Sequence, residues 1–364
     1  MTTTVTELWV DRGHLREHKL VERNAEPLGE GQIRVAIDKF ALTANNISYG
    51  VSGDMIGYWK YFPAEGAWGK IPVWGFGDVV ESRSDAIAVG ERLWGFFPMA
   101  SHVILTPGKA SPGQFRDATP HREALPTLYN DYMRTKNDPA HMKAFEDARC
   151  ALFPLFATSF ILYDYLVANA FFGADTVVIG SASSKTGYGL AYLVHNDKAA
   201  GKRVVGLTSA SNVGFVESLK VCDRVVSYDA IGSMDNTHKV AFVDMSGSAA
   251  TIAAVHHRFG DKVVESALVG ATHWEADRNR GELPGAKPTF FFAPAHIGRR
   301  TKEWGEGVFM QKAMASATGV VLAVADKVEI VHQRGAQAVA QAYLNMLDNK
   351  VSPRVGLMLS FKSN

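Results

Sequence analysis

The sequence predicts an α/β protein of two domains, one a doubly wound parallel sheet and the other mainly β. Three observations carry this. Residues 174–197, ADTVVIGSASSKTGYGLAYLVHND, pass from a β-branched apolar run at 176–179 through a loop of small polar residues to apolar residues at helical spacing, 190–194. Further runs at 203–207, 224–227, 240–243 and 266–269 alternate with helix-length segments and end in Gly, Ser or Thr, which predicts a parallel sheet with its ligand at the carboxyl edge. Residues 1–107 differ: strand-like runs at 33–37, 79–80 and 103–105 are separated by Gly and Pro, as in PLGEGQ at 27–32 and AVGERLWGFFP at 88–98.

Size and charge narrow the function classes. A chain of 364 residues with 47% hydrophobic content supports two cores, since single cores stop growing beyond about 250–300 residues. Lys and Arg number 38 against 37 Asp and Glu, so no global field draws in nucleic acid or an anionic membrane. Two cysteines, Cys150 and Cys222, are too few for a disulfide framework or a cysteine-based zinc site, though they leave room for one bridge. The start MTTTVTELWVDRG lacks a basic, then apolar, secretion signal, and no segment reaches the apolar length of a membrane span. A cytoplasmic protein acting on a small molecule is expected.

The loop at 180–187 carries the chemistry. A pyrophosphate can sit on a helix N-terminus, where free N–H groups and the positive dipole end converge, only if no bulky side chain holds it off. Gly180, Ser181, Ser183, Ser184, Lys185, Thr186 and Gly187 are therefore the candidate phosphate ligands. The GxGxxG fingerprint is incomplete, with Ala182 and Lys185 where glycines would stand, and a plain tight turn is the competing reading. The second strand ends in Thr208, Ser209, Ser211 and Asn212. An acid there would bind the ribose 2′-hydroxyl of NAD; hydroxyls and an amide suit a 2′-phosphate, so the site leans to NADP(H), with helix capping as the alternative. The third strand leads to Tyr228, the fourth to Asp244, Ser246 and Gly247, and the fifth to Gly270 and Thr272; of these Tyr228, Ser246 and Gly270 are further candidate cofactor contacts.

A family resemblance runs along the chain. Residues 27–50, PLGEGQIRVAIDKFALTANNISYG, and 71–107, containing PVWGFGDVV at 72–80 and VGERLWG at 89–95, resemble the N-terminal domain of the medium-chain dehydrogenase/reductase superfamily. The stretch 173–187 resembles the glycine-rich turn of its quinone-oxidoreductase branch, and residues 335–360 are similar to its closing helix and strand. The resemblance implies a GroES-like domain over 1–150 completed by 325–364, and a Rossmann domain over 151–324. It implies a homodimer paired through an edge strand at 319–323. Zinc enzymes of the superfamily place a cysteine near residues 43–46 and Gly-His-Glu at Gly75, Phe76 and Gly77; this chain has neither, so no metal is expected. What the resemblance then implies is a zinc-independent, NADP(H)-dependent hydride transfer to an activated alkene, quinone or carbonyl. The side chains would come from a loop at 43–54: Tyr49 as acid, with Asn45 or Asn46 as a neutral donor. Tyr132 is the next candidate acid. Phe292, within FFAP at 291–294, would line the nicotinamide side, and Tyr228 would contact the cofactor. An ordinary half-buried tyrosine and an apolar core run are the competing readings of Tyr49 and of the phenylalanines.

Two rival functions stay open. Gly180, Lys185 and Thr186 come within one glycine of a P-loop, and VAFVD at 240–244 could supply its magnesium-holding acid, which describes a divergent nucleotide-binding protein. A cofactor-binding sensor without turnover is the other. Unmatched residues 108–149 read as a long loop beside the site, or as surface packing. Arg299, Arg300 and Lys302 read as an anion site or a solvated patch, and His256 and His257 as solvated or capping residues on a helix.

Overall fold

The computed structural model describes residues 3–138, 140–270 and 282–363. In chain order the elements begin with β1 (Thr4–Asp11), β2 (His18–Asn24), β3 (Ile33–Leu42), α1 (Ala44–Val51), α2 (Gly53–Ile56), β4 (Trp68–Gly69), β5 (Pro72–Ser82) and β6 (Arg92–Pro98). They continue with β7 (His102–Leu105), β8 (Pro107–Ala110), β9 (Gln114–Asp117), β10 (Asp131–Arg134), α3 (Ala140–Lys143), α4 (Glu146–Ala151) and α5 (Phe153–Ala168). Then come β11 (Thr176–Gly180), α6 (Lys185–Asn196), β12 (Arg203–Thr208), α7 (Val213–Leu219), β13 (Arg224–Ser227), β14 (Val240–Asp244), α8 (Ala249–Phe259), β15 (Val263–Leu268) and β16 (Thr289–Phe290). The chain closes with α9 (Ala293–Trp304), α10 (Val308–Val324), β17 (Glu329–Arg334), α11 (Ala336–Leu347) and β18 (Val355–Ser360). Two compact units result: Met1–Ala151 with Ile330–Asn364, and Leu152–Glu329.

The first unit is mainly antiparallel β. A sheet in the order β17-β18-β3-β5-β6-β10-β9-β8, with β7 also on β3, stands beside a smaller one, β2-β1-β4. Strand β18 pairs with β3 through Leu357↔Leu42, Met358↔Ala41 and Leu359↔Phe40, so the chain's last strand lies inside the sheet. The 108–149 segment is not a loop. Its strands β8, β9 and β10 extend the sheet beyond β6, with Tyr132 opposite Phe115 and Met133 opposite Trp94. The cause is burial: Phe115 and Tyr132 are both fully buried and stack at 5.4 Å, and each such side chain contributes about 1.5–3 kcal/mol. Arg122 and Asp117, also buried, pair at 2.8 Å beneath them.

The second unit holds one parallel sheet, β13-β12-β11-β14-β15-β16. Numbered within the unit this is the order 3-2-1-4-5-6 of a doubly wound dinucleotide fold, whose direction reverses between β11 and β14. Strand β11 is buried throughout, as its β-branched run predicts. Residues 319–323 are not an edge strand: they lie in α10, where Ala313, Ala317, Val320, Val321 and Val324 form a buried stripe at helical spacing. The β-branched pair there yields to packing of the helix face. Among the described residues, no single helix is long and apolar enough to cross a membrane.

Candidate functional site

The loop after β11 stands at the carboxyl edge, at the point where strand order reverses, the position where open α/β sheets bind ligands. Ser184 caps α6, its Oγ accepting from Gly187 N at 3.1 Å and donating to Ser181 O at 2.7 Å. Ser181 adopts a left-handed φ of 56°. Gly187 is obligatory, since a Cβ there would lie 2.4 Å from Ser181 O. Gly180 is likewise forced, because its Cβ would lie 2.0 Å from Asp244 Oδ1 on the neighbouring strand. Thr208 Oγ1 donates to Ser183 Oγ at 3.0 Å, tying the loop to the end of β12. The oxygen of Tyr228 accepts from Ser181, while burial pushes its phenol up to about 12. Ser246 and Gly270 join the same edge, Ser246 through Asp244 and Gly270 against the Met245 carbonyl.

Several hydroxyls counted as ligands in the sequence are thus committed to building the loop: Ser184 to its cap, Ser183 to Thr208, Ser246 to Asp244. Asp244 is fully buried and accepts from Ser246 N at 3.0 Å, Ser246 Oγ at 2.7 Å and Gly247 N at 2.8 Å. Both its oxygens therefore serve the turn after β14. Thr186 gives its carbonyl to Ser159 Oγ at 2.9 Å. Lys185 opens α6, and desolvation by burial pulls its ammonium from 10.5 down to about 8. Ser209 and Ser211 sit 3.1 Å apart on the turn after β12, Ser211 exposed, with Asn212 next to them. Phe292 is 41% exposed and precedes α9. Thr272 lies outside the described residues. The arrangement fits a dinucleotide: a helix N-terminus with a small-residue approach, an ammonium beside it, and hydroxyl and amide groups in place of an acid after β12.

The first unit carries a separate cluster. Residues 43–54 are not a loop but α1 followed by α2. Asn46 is the reason: its Oδ1 accepts from Thr43 N at 2.7 Å, and its Nδ2 donates to Pro72 O at 2.9 Å, which starts the helix and removes Asn46 as a free donor. Tyr49 is thereby fixed on a helix among Tyr58, Tyr61, Phe62 and Phe96, with Trp74 and Tyr129 beside them. Its ring lies 4.3 Å from that of Tyr58 and 6.4 Å from that of Tyr129, and the Tyr58 and Tyr129 hydroxyls are 3.1 Å apart. Burial pushes the Tyr49 phenol well above its ordinary 10.0; neighbouring Trp74 and Asn45 act in the opposite sense. Tyr132 is no alternative acid, because it is fully buried and donates to Phe96 O at 2.6 Å.

Three further placements differ from the sequence reading. His256 is fully buried, its ring held between Ser266 Oγ at 2.9 Å and Pro284 O at 2.8 Å; His257 is exposed. Arg300 is not in a solvated patch but clamps Asp164 at 2.7 and 2.9 Å, with His296 Nε2 donating to the same carboxylate at 2.6 Å. Tyr58 and Trp74, absent from the sequence candidates, gained significance only through long-range packing. Among the described residues, no three His, Cys, Asp or Glu side chains converge to hold a metal ion.

The fold is similar to that of solved medium-chain dehydrogenase/reductase structures. CurA from Vibrio vulnificus, crystallised with NADPH, is similar at TM-score 0.61 and 14% identity, covering 99% of this chain and 100% of its own. Mycobacterial Rv1454c, complexed with NADPH, gives 0.57 at 15% identity over 98% and 99%. The yhdH oxidoreductase from Salmonella enterica, in complex with NADP, gives 0.51 at 13% identity over 100% of both chains. These are likenesses of fold. The chain itself belongs to the family described as "Protein of unknown function (DUF2855)", whose model matches residues 40–352. No curated protein matches the sequence.

Proposed function

We propose that this chain is an NADP(H)-dependent oxidoreductase that reduces an activated alkene, quinone or carbonyl without zinc. The observation that carries the reading is the loop at the β11–α6 turn: small, pre-shaped by Gly187 and the Ser184 cap, opening at the strand-order switch, with no acid after β12. Similar folds crystallised with NADPH or NADP support it. Ser181, Lys185 and the N-terminal amides of α6 would hold the diphosphate; Ser209, Ser211 and Asn212 would receive the 2′-phosphate. Tyr228, Gly270 and Phe292 would border the rest of the cofactor.

When bound, the nicotinamide supplies a hydride. What the chain must add is a proton and an oriented acceptor, and Tyr49 is the group for the proton. A phenol donates without carrying a charge into an apolar surrounding, and its burial keeps it protonated at neutral pH. Asn45 would orient the acceptor or the phenol. The zinc-free part rests on the residues at 43–46 and 75–77, which provide neither thiolate nor imidazole. A homodimer is proposed on the resemblance alone.

Two measurements test the reading. Calorimetry should give tighter binding of NADPH than of NADH; equal affinities, or tighter binding of ATP with magnesium, would favour the P-loop alternative. Single-turnover oxidation of NADPH against quinones, enones and aldehydes should be slowed about 100- to 10,000-fold by Tyr49→Phe, with NADPH affinity retained. If no acceptor oxidises bound NADPH, a sensor without turnover replaces the enzyme.

A further inference from the structure

Residues 118–129 join β9 to β10 as a loop whose ends meet, Asp117 N donating to Asn130 O at 2.8 Å; compact surface loops of this kind are frequently functional. The base of the loop is rigid. Arg122 is buried, pairs with Asp117 at 2.8 Å and donates through Nε to Tyr61 O at 2.9 Å, and Asn130 Nδ2 donates to Arg122 O at 3.0 Å. The outer half, 123–129, is held more loosely. Glu123, Ala124 and Thr127 are exposed. Tyr61 Oη donates to Pro126 O at 3.1 Å, and the hydroxyls of Tyr58 and Tyr129 lie 3.1 Å apart, both long for O–H···O bonds, whose usual length is about 2.7–2.8 Å.

Tyr129 lays this outer half against Tyr49. Its ring stacks on Phe96 at 4.6 Å, borders Trp74 at 6.2 Å and meets Tyr49 at 6.4 Å. Tyr49 is buried, yet a molecule that takes its proton must come within hydrogen-bond reach of its oxygen. One of its neighbours therefore has to move. Phe96 is fixed in β6 and Tyr58 is buried, whereas Tyr129 is half-buried and lies in the loop. The wall behind Tyr129 also holds an unused donor: Trp74 Nε1 is buried with no hydrogen-bond partner among the described residues, an uncommon state that calls for a reason.

We propose that Tyr129 is both the gate of the acceptor site and the placeholder for the acceptor. Residues 123–129 swing outward about Arg122 and Asn130, and a flat ring bearing an oxygen takes the place of the Tyr129 phenol, against Phe96 and Trp74 with its oxygen on the Tyr58 hydroxyl. The inference rests on the reading of Tyr49 as proton donor. It narrows the acceptor to a single aromatic ring carrying an oxygen, in preference to branched aliphatic enones and aldehydes, because the slot has aromatic walls and the thickness of one ring. A ligand that needs the open gate is bound more weakly by the fraction of molecules that are open, so loosening the latch strengthens its binding.

Tyr61→Phe keeps the ring and deletes the hydroxyl that holds Pro126 O. Losing one neutral hydrogen bond should raise the open population roughly 2- to 10-fold. Amide hydrogen exchange at 123–129 should quicken by that factor while β5 and β6 exchange as before. The ligand probe is 4-methylphenol, the tyrosine side chain freed of its backbone, which does not accept a hydride. Its dissociation constant, measured by calorimetry, should fall by the same factor in Tyr61→Phe; a merely structural hydroxyl would leave it unchanged or raise it. Leu125→Ala, which loosens the same segment through its packing on the tyrosine cluster, should act in the same direction and serves if Tyr61→Phe does not fold. Unchanged exchange, quickened exchange without tighter binding, or binding to neither protein overturns the proposal. None of these measurements needs turnover. If they come out as expected and Tyr49→Phe is harmless, the reading of Tyr49 fails alone; if Tyr49→Phe slows turnover and they do not, the gate fails alone.

Discussion

Lys185 offers a prediction whose sign and size both follow from its burial. Its ammonium ionises at about 8 in the free protein instead of 10.5, because desolvation penalises the charged form. A phosphate beside it would favour that form and return the value towards 10.5. By linkage, the largest change in affinity between fully protonated and fully neutral lysine corresponds to the gap from about 8 to 10.5, roughly 300-fold or about 3.4 kcal/mol. One charge-assisted hydrogen bond is worth less, about 1.5–3 kcal/mol, so roughly 10- to 100-fold is expected. The direction is fixed: NADPH binds best below about pH 8 and weakens as pH rises through that value. Isothermal titration from neutral to strongly alkaline pH, in buffers of matched ionic strength, measures it. Lys185→Met should bind weakly at every pH, with no inflection near 8. Equal pH profiles for the two proteins would remove Lys185 from the site. For folding the same group works with the opposite slope. The unfolded chain binds the extra proton between about 8 and 10.5, so the penalty of burying Lys185 is largest below 8 and fades as pH rises to 10.5.

Other expectations are simpler. Gly187→Ala forces a Cβ to within 2.4 Å of Ser181 O; it should cost about 1–3 kcal/mol of stability and weaken NADPH binding, and an unaltered thermal midpoint with full binding would contradict the close approach. Asp164→Ala leaves Arg300 and His296 without their shared carboxylate; denaturant unfolding should lose about 3–5 kcal/mol, and a loss below about 1 kcal/mol would mean that the cluster is solvated. Burial raises the Glu7 carboxyl, but Lys70, Trp9 and Arg23 outweigh it and hold the pKa below 4.5. Its stabilising contribution is present above 4.5 and is lost as pH falls through the lower folded value. Acid unfolding should therefore be steeper in the parent than in Glu7→Gln, and identical acid profiles would refute the pairing.

What the sequence disclosed and what it hid divide by range. The strand, small loop and helix at 176–194 are local, and each residue type there states its own conformational need, so five strands of the parallel sheet were legible and only the two-residue β16 was not. The helix at 44–51 also had a local signal, the Thr43 and Asn46 pair that starts it, but a run of short polar residues reads equally well as a loop. Strands β8 to β10 are four residues each and pair with partners that sequence proximity does not reveal. His256 could have been placed from periodicity: Ile252, Val255, His256 and Phe259 form one buried stripe of α8, and adjacent His257 falls off it. The tyrosine cluster had no signature, since Tyr49, Tyr58 and Tyr129 come together only through the folded sheet. Counting hydroxyls does not separate two roles: a serine in a phosphate loop serves the loop's geometry as readily as a ligand.

The position of β18 between β17 and β3 has a consequence for how the molecule is made. The second unit is one uninterrupted stretch, so it can close as soon as residue 329 has been synthesised. The first unit cannot. Until residues 355–360 emerge, Phe40, Ala41 and Leu42 present an open strand edge, a template to which any passing strand could add. Maturation therefore runs against the order of synthesis: the middle of the polypeptide finishes first and the beginning waits for the end. Stalled or shortened products that lack the last strand should be aggregation-prone while keeping an intact central unit, and limited proteolysis of such products would recover that unit.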